Sequence, residues 1–217
     1  MSDDVKARIA TRAAEELRPG EVVNLGVGIP NLIPAYLDVD AGVVLHTENG
    51  LLGVGPRPVG DQVDPDLIDA AKQPVTALPG AAYFDSATSF AMIRGGHVDT
   101  AVLGALQVSE RGDIANWAVP GRDVLGVGGA MDLVVGARRV IVTMTARSSN
   151  GEPKVVERCT YPLTAAAAVD AIVTELCVFR RVEGRLCLTE LLDGASVADV
   201  EAVTTARFDV VLATQSA

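Results

Sequence analysis

EVVNLGVGIPNLIPAYL, residues 21–37, reads as a short buried strand that runs into a Gly-rich turn and then a helix with Pro30 in its first turn. VVLHTENG, residues 43–50, repeats the scheme: a β-branched strand ends at Thr47-Glu48, and Asn49-Gly50 forms the turn. VTALPG, residues 75–80, is expected to be a third such strand. Strands separated by helical segments predict an α/β fold of three layers, α/β/α, around a mostly parallel sheet with some antiparallel strands.

The flanking sequence fits that plan. Val5, Ile9, Ala13 and Leu17 recur at helical spacing, so a first helix is expected to run to Leu17 or Arg18, before Pro19-Gly20. Asp85 or Ser86 is placed to cap a helix through Met92, closed by Gly95-Gly96. TAVLGALQV (100–108) is a strand, and a Gly- and Pro-punctuated stretch follows at 110–129. GAMDLVVGA (129–137) is a short helix before the strand RRVIVTMT (138–145), and RSSNGEP (147–153) is a loop. CVFRRVEGRLCLTEL (177–191) is a hairpin turning at Glu183-Gly184; Ser196 with Asp199 caps the last helix; FDVVL (208–212) closes with a strand. No repeat or composition break divides residues 1–217, which are expected to form one domain.

Composition narrows the function classes. Almost half of the residues are apolar, enough to fill a core, and the 21 glycines suit many tight strand-to-helix turns. A net charge of −10 opposes non-specific nucleic-acid binding, which needs a basic face. No apolar run is long enough to span a bilayer, and MSDDVKAR carries no signal-type apolar core. Cys159, Cys177 and Cys187 form no CxxC pair and read as small buried hydrophobes, so neither a disulfide framework nor a metal site is expected. A cytoplasmic location is the expectation.

In open α/β sheets ligands bind beyond the carboxyl ends of the strands, which places Gly26–Gly28, Glu48-Asn49-Gly50 and Gly104 on one rim. Glu48 ends an apolar strand and is followed by Gly50, Gly53 and Gly55, an arrangement that partly desolvates a carboxylate and leaves room for a substrate. For the residue taken by itself, a carboxylate that caps the following turn is the commoner explanation. LGVGIPN keeps Gly26 and Gly28 but has Asn31 where a dinucleotide fingerprint has its third Gly, so it reads as a tight turn facing a pocket. The cluster Gly126–Asp132 serves equally as an oxyanion-binding helix start or as a close helix–sheet contact. Trp117 is read as a core aromatic and His97 as a turn residue. His46 alternates with Glu48 along the strand, on the same side; it reads as a group that tunes that carboxylate or, more commonly for such a residue, as a hydrogen-bonded structural histidine. With two histidines in the chain, a His-rich metal centre has no material.

Taken together, VNLGVGIPNLIP (23–34), HTENGLLGVGP (46–56), residues 78–108, GDIANWAVPG (112–121), GVGGAMDLVVGA (126–137) and CTYPLT (159–164) resemble the B subunits of family I CoA-transferases, of the 3-oxoacid (succinyl-CoA:3-ketoacid or 3-oxoadipate) type. The resemblance runs from about Glu21 to about Phe179. It implies that TENG carries the catalytic glutamate, Glu48, with Thr47 where the family usually has Ser, and that the backbone amide of Gly129 contributes to an oxyanion pocket. It further implies ping-pong transfer of CoA between an acyl-CoA such as succinyl-CoA and a 3-oxo acid, through a glutamyl-CoA thioester. Coenzyme A is then a substrate and no cofactor is needed. The partner implied is an A subunit, in an αβ or α2β2 assembly.

From their place on the rim, Asn49, Gly50, Gly26, Gly28 and Gln107 are expected to line the substrate and CoA pocket; the resemblance adds Gly128, from the matching GxGGAMD stretch, and Arg57 and Lys72 are candidates for the phosphates, although exposed basic residues seldom do anything so specific. The chain departs from the family at MTARSSNG (144–151), where members often read MEHTxKxG, so a Glu and a His are missing around Thr145 and Ala146. It departs again at Ala165, where PLTA replaces PLTG. Rival readings are the acetate or butyrate–acetoacetate type of transferase, a CoA-ester hydrolase using the same glutamate, and a ligand sensor on a related scaffold.

Overall fold

The computed structural model describes residues 3–38, 40–121 and 126–212, so part of the stretch expected to be punctuated by Gly and Pro lies outside the described residues. Helix α1 (Asp3–Ala14) buries Ile9, Ala10, Ala13 and Ala14 on one stripe. It stops short of the expected Leu17. Glu16 N and Leu17 N bond to Ala13 O and Ala14 O, both at 3.1 Å, tightening the end into a turn. Pro19 disfavours helical geometry for the residue before it.

Strand β1 (Val22–Leu25) is followed by the expected helix, at Ile29–Tyr36, and it is of the 3-10 type. Pro34 lies inside that helix and has no N–H to donate, which explains why a regular α-helical ladder does not form. Strand β2 (Val44–Thr47) turns at once into β3 (Leu51–Val54), and β4 (Ala77–Tyr83) follows. Helix α2 (Ser86–Arg94) is capped by Asp85, which accepts from Thr88 N. Next come β5 (Thr100–Gly104), β6 (Gln107–Ser109), β7 (Ile114–Ala115), α3 (Ala130–Gly136) and β8 (Arg139–Thr143). The chain ends with β9 (Val155–Val156), β10 (Ala171–Val173), β11 (Cys177–Val182), β12 (Arg185–Leu191), α4 (Val197–Ala202) and β13 (Asp209–Val210).

The main sheet has the order β13-β12-β11-β10-β8-β5-β1-β2-β3-β4. Its central block, β10-β8-β5-β1-β2, is parallel throughout, as expected for strands joined by crossovers. The late hairpin β11–β12 is antiparallel and turns at Glu183 and Gly184, both at positive φ, as expected. A second antiparallel block, β2-β3-β4, was not expected. Asn49-Gly50 is a strong hairpin signal, and here it reverses the chain directly, with Gly50 N bonded to Thr47 O at 3.0 Å. VTALPG is therefore no parallel strand of the rim. Its Ala77–Gly80 portion opens an antiparallel edge strand, where Pro79 costs no ladder bond. TAVLGALQV also divides: β5 joins the main sheet, whereas β6 pairs with β7 and β9 in a small sheet of its own.

Side-chain alternation along the central strands builds two cores. Val23, Leu45, Val102, Ile141, Ala171 and Val173 face α1 and the 3-10 helix. Ala101, Leu103, Val140, Val142 and Ile172 face the side of α2, α3 and α4. This is the three-layer α/β/α arrangement, and it fixes which side chains of β1 and β2 share a face.

Candidate active site

Strands β1 and β2 are parallel neighbours with Asn24 opposite His46. Both side chains therefore leave the sheet on the α2 side, and both are buried. Glu48 lies two residues beyond His46, at the first position past the end of β2, and is half-buried. Asn24 ties the group together. Its Nδ2 is 3.1 Å from Glu48 Oε2, 3.1 Å from His46 Nδ1 and 3.3 Å from His46 O. Its Oδ1 has no hydrogen-bond partner among the described residues. His46 Nε2 is 3.0 Å from Ser89 Oγ on α2, and Phe84 stacks on the imidazole at 6.0 Å between centroids. Burial pushes the His46 pKa down to about 4, so the ring is uncharged at neutral pH.

Gly129, the residue before α3, closes the other side of Glu48. A Cβ placed on Gly129 would lie 2.9 Å from Phe90 Cζ and 3.8 Å from Glu48 Cγ. The structure thus brings Glu48 and Gly129 together, from segments 81 positions apart in the chain. Glu48 forms no ion pair with a described residue, which leaves its charge unclaimed by a fixed cation.

The remaining candidates fall into two groups. Gly26, Gly28 and Gly104 gather at the ends of β1 and β5: Gly26 N bonds to Val102 O at 2.8 Å, and a Cβ on Gly104 would lie 3.5 Å from Val27 O. Gly28, at φ 100, and Gly128, at φ 57, are turn residues with open space at the Cβ position. Asn49, Gly50 and Gln107 have internal partners. Asn49 Nδ2 donates to Ile68 O at 2.8 Å, and Gly50 O accepts from Phe84 N at 3.0 Å. Gln107 Oε1 accepts from Thr160 N at 2.8 Å and from Tyr161 N at 3.2 Å. Arg57 and Lys72 are exposed, and among the described residues Arg57 reaches only Gln73, at 3.5 Å. Trp117 is half-buried and donates from Nε1 to Leu163 O at 3.3 Å, and His97 follows the turn that ends α2. Cys177 and Cys187 are buried, whereas Cys159 is partly exposed.

Asn24 and Ser89 escape a reading of the sequence alone, though one signal is present for Asn24. It is the single polar residue in the buried strand VVNL, and a buried amide must find partners. Ser89 gives no such signal, because one serine in a helix is unexceptional until a histidine is found opposite it.

Residues 6–202 match the Coenzyme A transferase family. The chain is 53% identical over 207 residues to the beta subunit of the acetate CoA-transferase of Escherichia coli (strain K12), covering 95% of this chain and 94% of that protein. It is 49% identical over 207 residues to the B subunit of the probable succinyl-CoA:3-ketoacid coenzyme A transferase of Bacillus subtilis (strain 168), covering 95% and 96% respectively. Among solved structures, the acyl-CoA transferase YdiF of Escherichia coli O157:H7 superposes with a TM-score of 0.77 at 20% identity, over 99% of this chain and 44% of that longer chain. The chain belongs to the Coenzyme A transferase family, and CoA transfer is its class of chemistry.

Proposed function

We propose that this chain transfers CoA between an acyl-CoA, such as succinyl-CoA, and a 3-oxo acid, with Glu48 as the transient carrier. The observation that supports this most directly is a half-buried carboxylate at a strand end, held through one oxygen by Asn24 and facing Gly129. Exchange of CoA between two acids breaks one thioester and makes another, so it is nearly isoenergetic and needs no ATP. A carboxylate is a suitable store. Glu48 attacks the acyl-CoA carbonyl, giving a mixed anhydride and CoA thiolate. The thiolate attacks the glutamyl carbonyl and releases the first acid. The acceptor carboxylate then attacks the glutamyl thioester, and the thiolate returns to the new acyl group, regenerating Glu48. In this scheme CoA is a substrate and no metal or organic cofactor takes part.

Each addition produces an oxyanion, for which the Gly129 amide is the proposed donor. Gly26, Gly28 and Gly128 are proposed to let substrate approach the backbone closely, with Asn49, Gly50 and Gln107 supporting the rim through the bonds described above. The relatives named as B or beta chains of two-part enzymes support a partner A subunit, in an αβ or α2β2 assembly. The same names support two kinds of substrate, acetate in one and succinyl-CoA with a 3-keto acid in the other.

The test is the intact mass of the chain, co-expressed with its A subunit and exposed to succinyl-CoA, acetoacetyl-CoA or acetyl-CoA. An adduct of CoA less water on Glu48, discharged by a carboxylic acid, is expected. Release of free acid and CoA with no acceptor present would point to a hydrolase instead. No adduct from an assembled complex with any acyl-CoA would overturn transfer through Glu48.

A further inference from the structure

We propose that His46 is a positioning residue for Glu48: held between Ser89 and Phe84, it orients the Asn24 amide, and Asn24 in turn fixes one carboxylate oxygen and leaves the other to attack. The inference rests on the reading of Glu48 as the nucleophile and extends it inward by two residues.

The geometry fixes the amide orientation of Asn24 and the tautomer of His46. The Asn24 atom nearest the cluster faces three acceptors: His46 O, a carboxylate oxygen of Glu48, and His46 Nδ1. The opposite amide orientation would set oxygen against a carbonyl and a carboxylate, so the NH2 group must be there. His46 Nδ1 then accepts, which puts the imidazole proton on Nε2, and Nε2–H donates to Ser89 Oγ at 3.0 Å. Asn24 thus sets the tautomer, and the Ser89 hydroxyl, free to turn its lone pair to Nε2–H, holds the ring in place. The stacked Phe84 ring, 15° from parallel, opposes rotation of the imidazole. Burial works in the same direction, because a charged imidazole would place a second proton on Nδ1, facing the amide hydrogens.

The chain of bonds ends at Oε2 of Glu48, while Oε1 forms no hydrogen bond with a described residue. A carboxylate held this way has one oxygen anchored and one free. Asn24 is fully buried and lies between two strands, so its own position is set by the sheet and only its amide rotation remains to be fixed. His46 and Ser89 fix that rotation. Reactions that depend on a near-attack geometry lose on the order of 100-fold when a group is misplaced by about 1 Å.

The test uses the full chain assembled with its A subunit, in the variants Ser89→Ala, His46→Leu and His46→Gln. Ser89→Ala is expected to slow formation of the Glu48 adduct about tenfold, and His46→Leu on the order of 100-fold, with KM for acyl-CoA little changed. His46→Gln can accept from Asn24 and donate to Ser89, and is expected to restore most of the rate that His46→Leu loses. Side-chain 15N spectra supply a second readout that does not depend on turnover or on the Leu variant folding: the wild type should show His46 protonated on Nε2 alone. Adduct formation at the wild-type rate in Ser89→Ala and in folded His46→Leu, or a proton on Nδ1 in the wild type, overturns this inference alone. No adduct in the wild type overturns both it and the proposed function.

Discussion

Asn24 Nδ2 and Glu48 Oε2 are 3.1 Å apart although 24 positions separate them, because β1 and β2 run parallel with Asn24 opposite His46. The bond is the one direct hold on the Glu48 carboxylate among the described residues. Asn24→Ala should therefore leave the carboxylate in place but unaimed, lowering kcat on the order of 100-fold with a smaller effect on KM. Asn24→Asp should be worse at neutral pH, since a second carboxylate would meet Glu48 at hydrogen-bond distance. Like charges that close raise the pH at which the pair fully ionises. The acidic limb of kcat/KM against pH should then move upward, which a profile of both variants beside the wild type would show. An unmoved limb in Asn24→Asp would mean that the two side chains are not neighbours in solution.

His46 makes stability depend on pH in a definite direction. Its pKa falls from 6.5 to about 4 on folding, so between those values the unfolded chain binds more protons than the folded one. The stabilisation is complete above pH 6.5 and is lost progressively as pH falls towards 4, by roughly 3 kcal/mol in total. Urea unfolding of wild type and His46→Gln across this window isolates the term as the difference between their slopes. Parallel slopes would show that His46 is not buried uncharged.

A second buried group, in the turn that ends α1, joins it to β11. Arg180 donates to both oxygens of Glu16, at 2.7 Å each, and the Glu16 side chain is 5% exposed. Arg12 Nη1 lies 2.8 Å from Glu16 Oε1 but off the hydrogen-bonding direction, so that contact is Coulombic. Burial opposes ionisation of Glu16, yet the Arg180 bonds and the charge of Arg12 outweigh it and hold the carboxyl below its usual range. Glu16→Ala should cost about 3 kcal/mol, chiefly by leaving the guanidinium groups of Arg12, Arg180 and, at 4.0 Å, Arg139 facing an empty site. Chemical denaturation at pH 7 measures it. A change under about 0.5 kcal/mol would mean that water replaces the carboxylate freely.

The central strands were legible because their signal is local. VVNL, VVLHT, TAVLG and RRVIV are β-branched runs, and the parallel block follows from the segments that separate them. The Ser196–Asp199 capping box and the Glu183-Gly184 turn are equally local, and both stand where expected. Glu48 became a candidate through its motif. The hairpin at Asn49-Gly50 is written in the sequence as well, but the same two residues also read as the wall of a pocket. The links from Asn24 to Glu48 and from His46 to Ser89 have no such local sign. They depend on register between β1 and β2, and on which face of α2 meets the sheet, and both are set by packing across the whole domain.

Two glycines beside Glu48 should respond to alanine in opposite ways. At Gly50, with φ 123, a Cβ would sit 1.9 Å from Phe84 O, and Phe84 N is itself bonded back to Gly50 O. Neither backbone can retreat without opening the β3–β4 pairing next to it, so Gly50→Ala should cost about 3 kcal/mol through strain and overpacking. For a chain of this size that is a fall in Tm of roughly 6–12 °C. At Gly129 φ is −82, and the clash is with the ring of Phe90, a half-buried side chain able to rotate. Gly129→Ala keeps the backbone N–H, so its Tm should fall by less than half as much. The displaced Phe90 and the new methyl crowd the carboxylate, however, and adduct formation on Glu48 should slow about tenfold. Thermal melts and adduct rates on the two variants separate the roles. If Gly129→Ala forms adduct at the wild-type rate, the space beside Glu48 is wider than this geometry allows; the amide role proposed for Gly129 is not touched by that result, because alanine keeps the N–H.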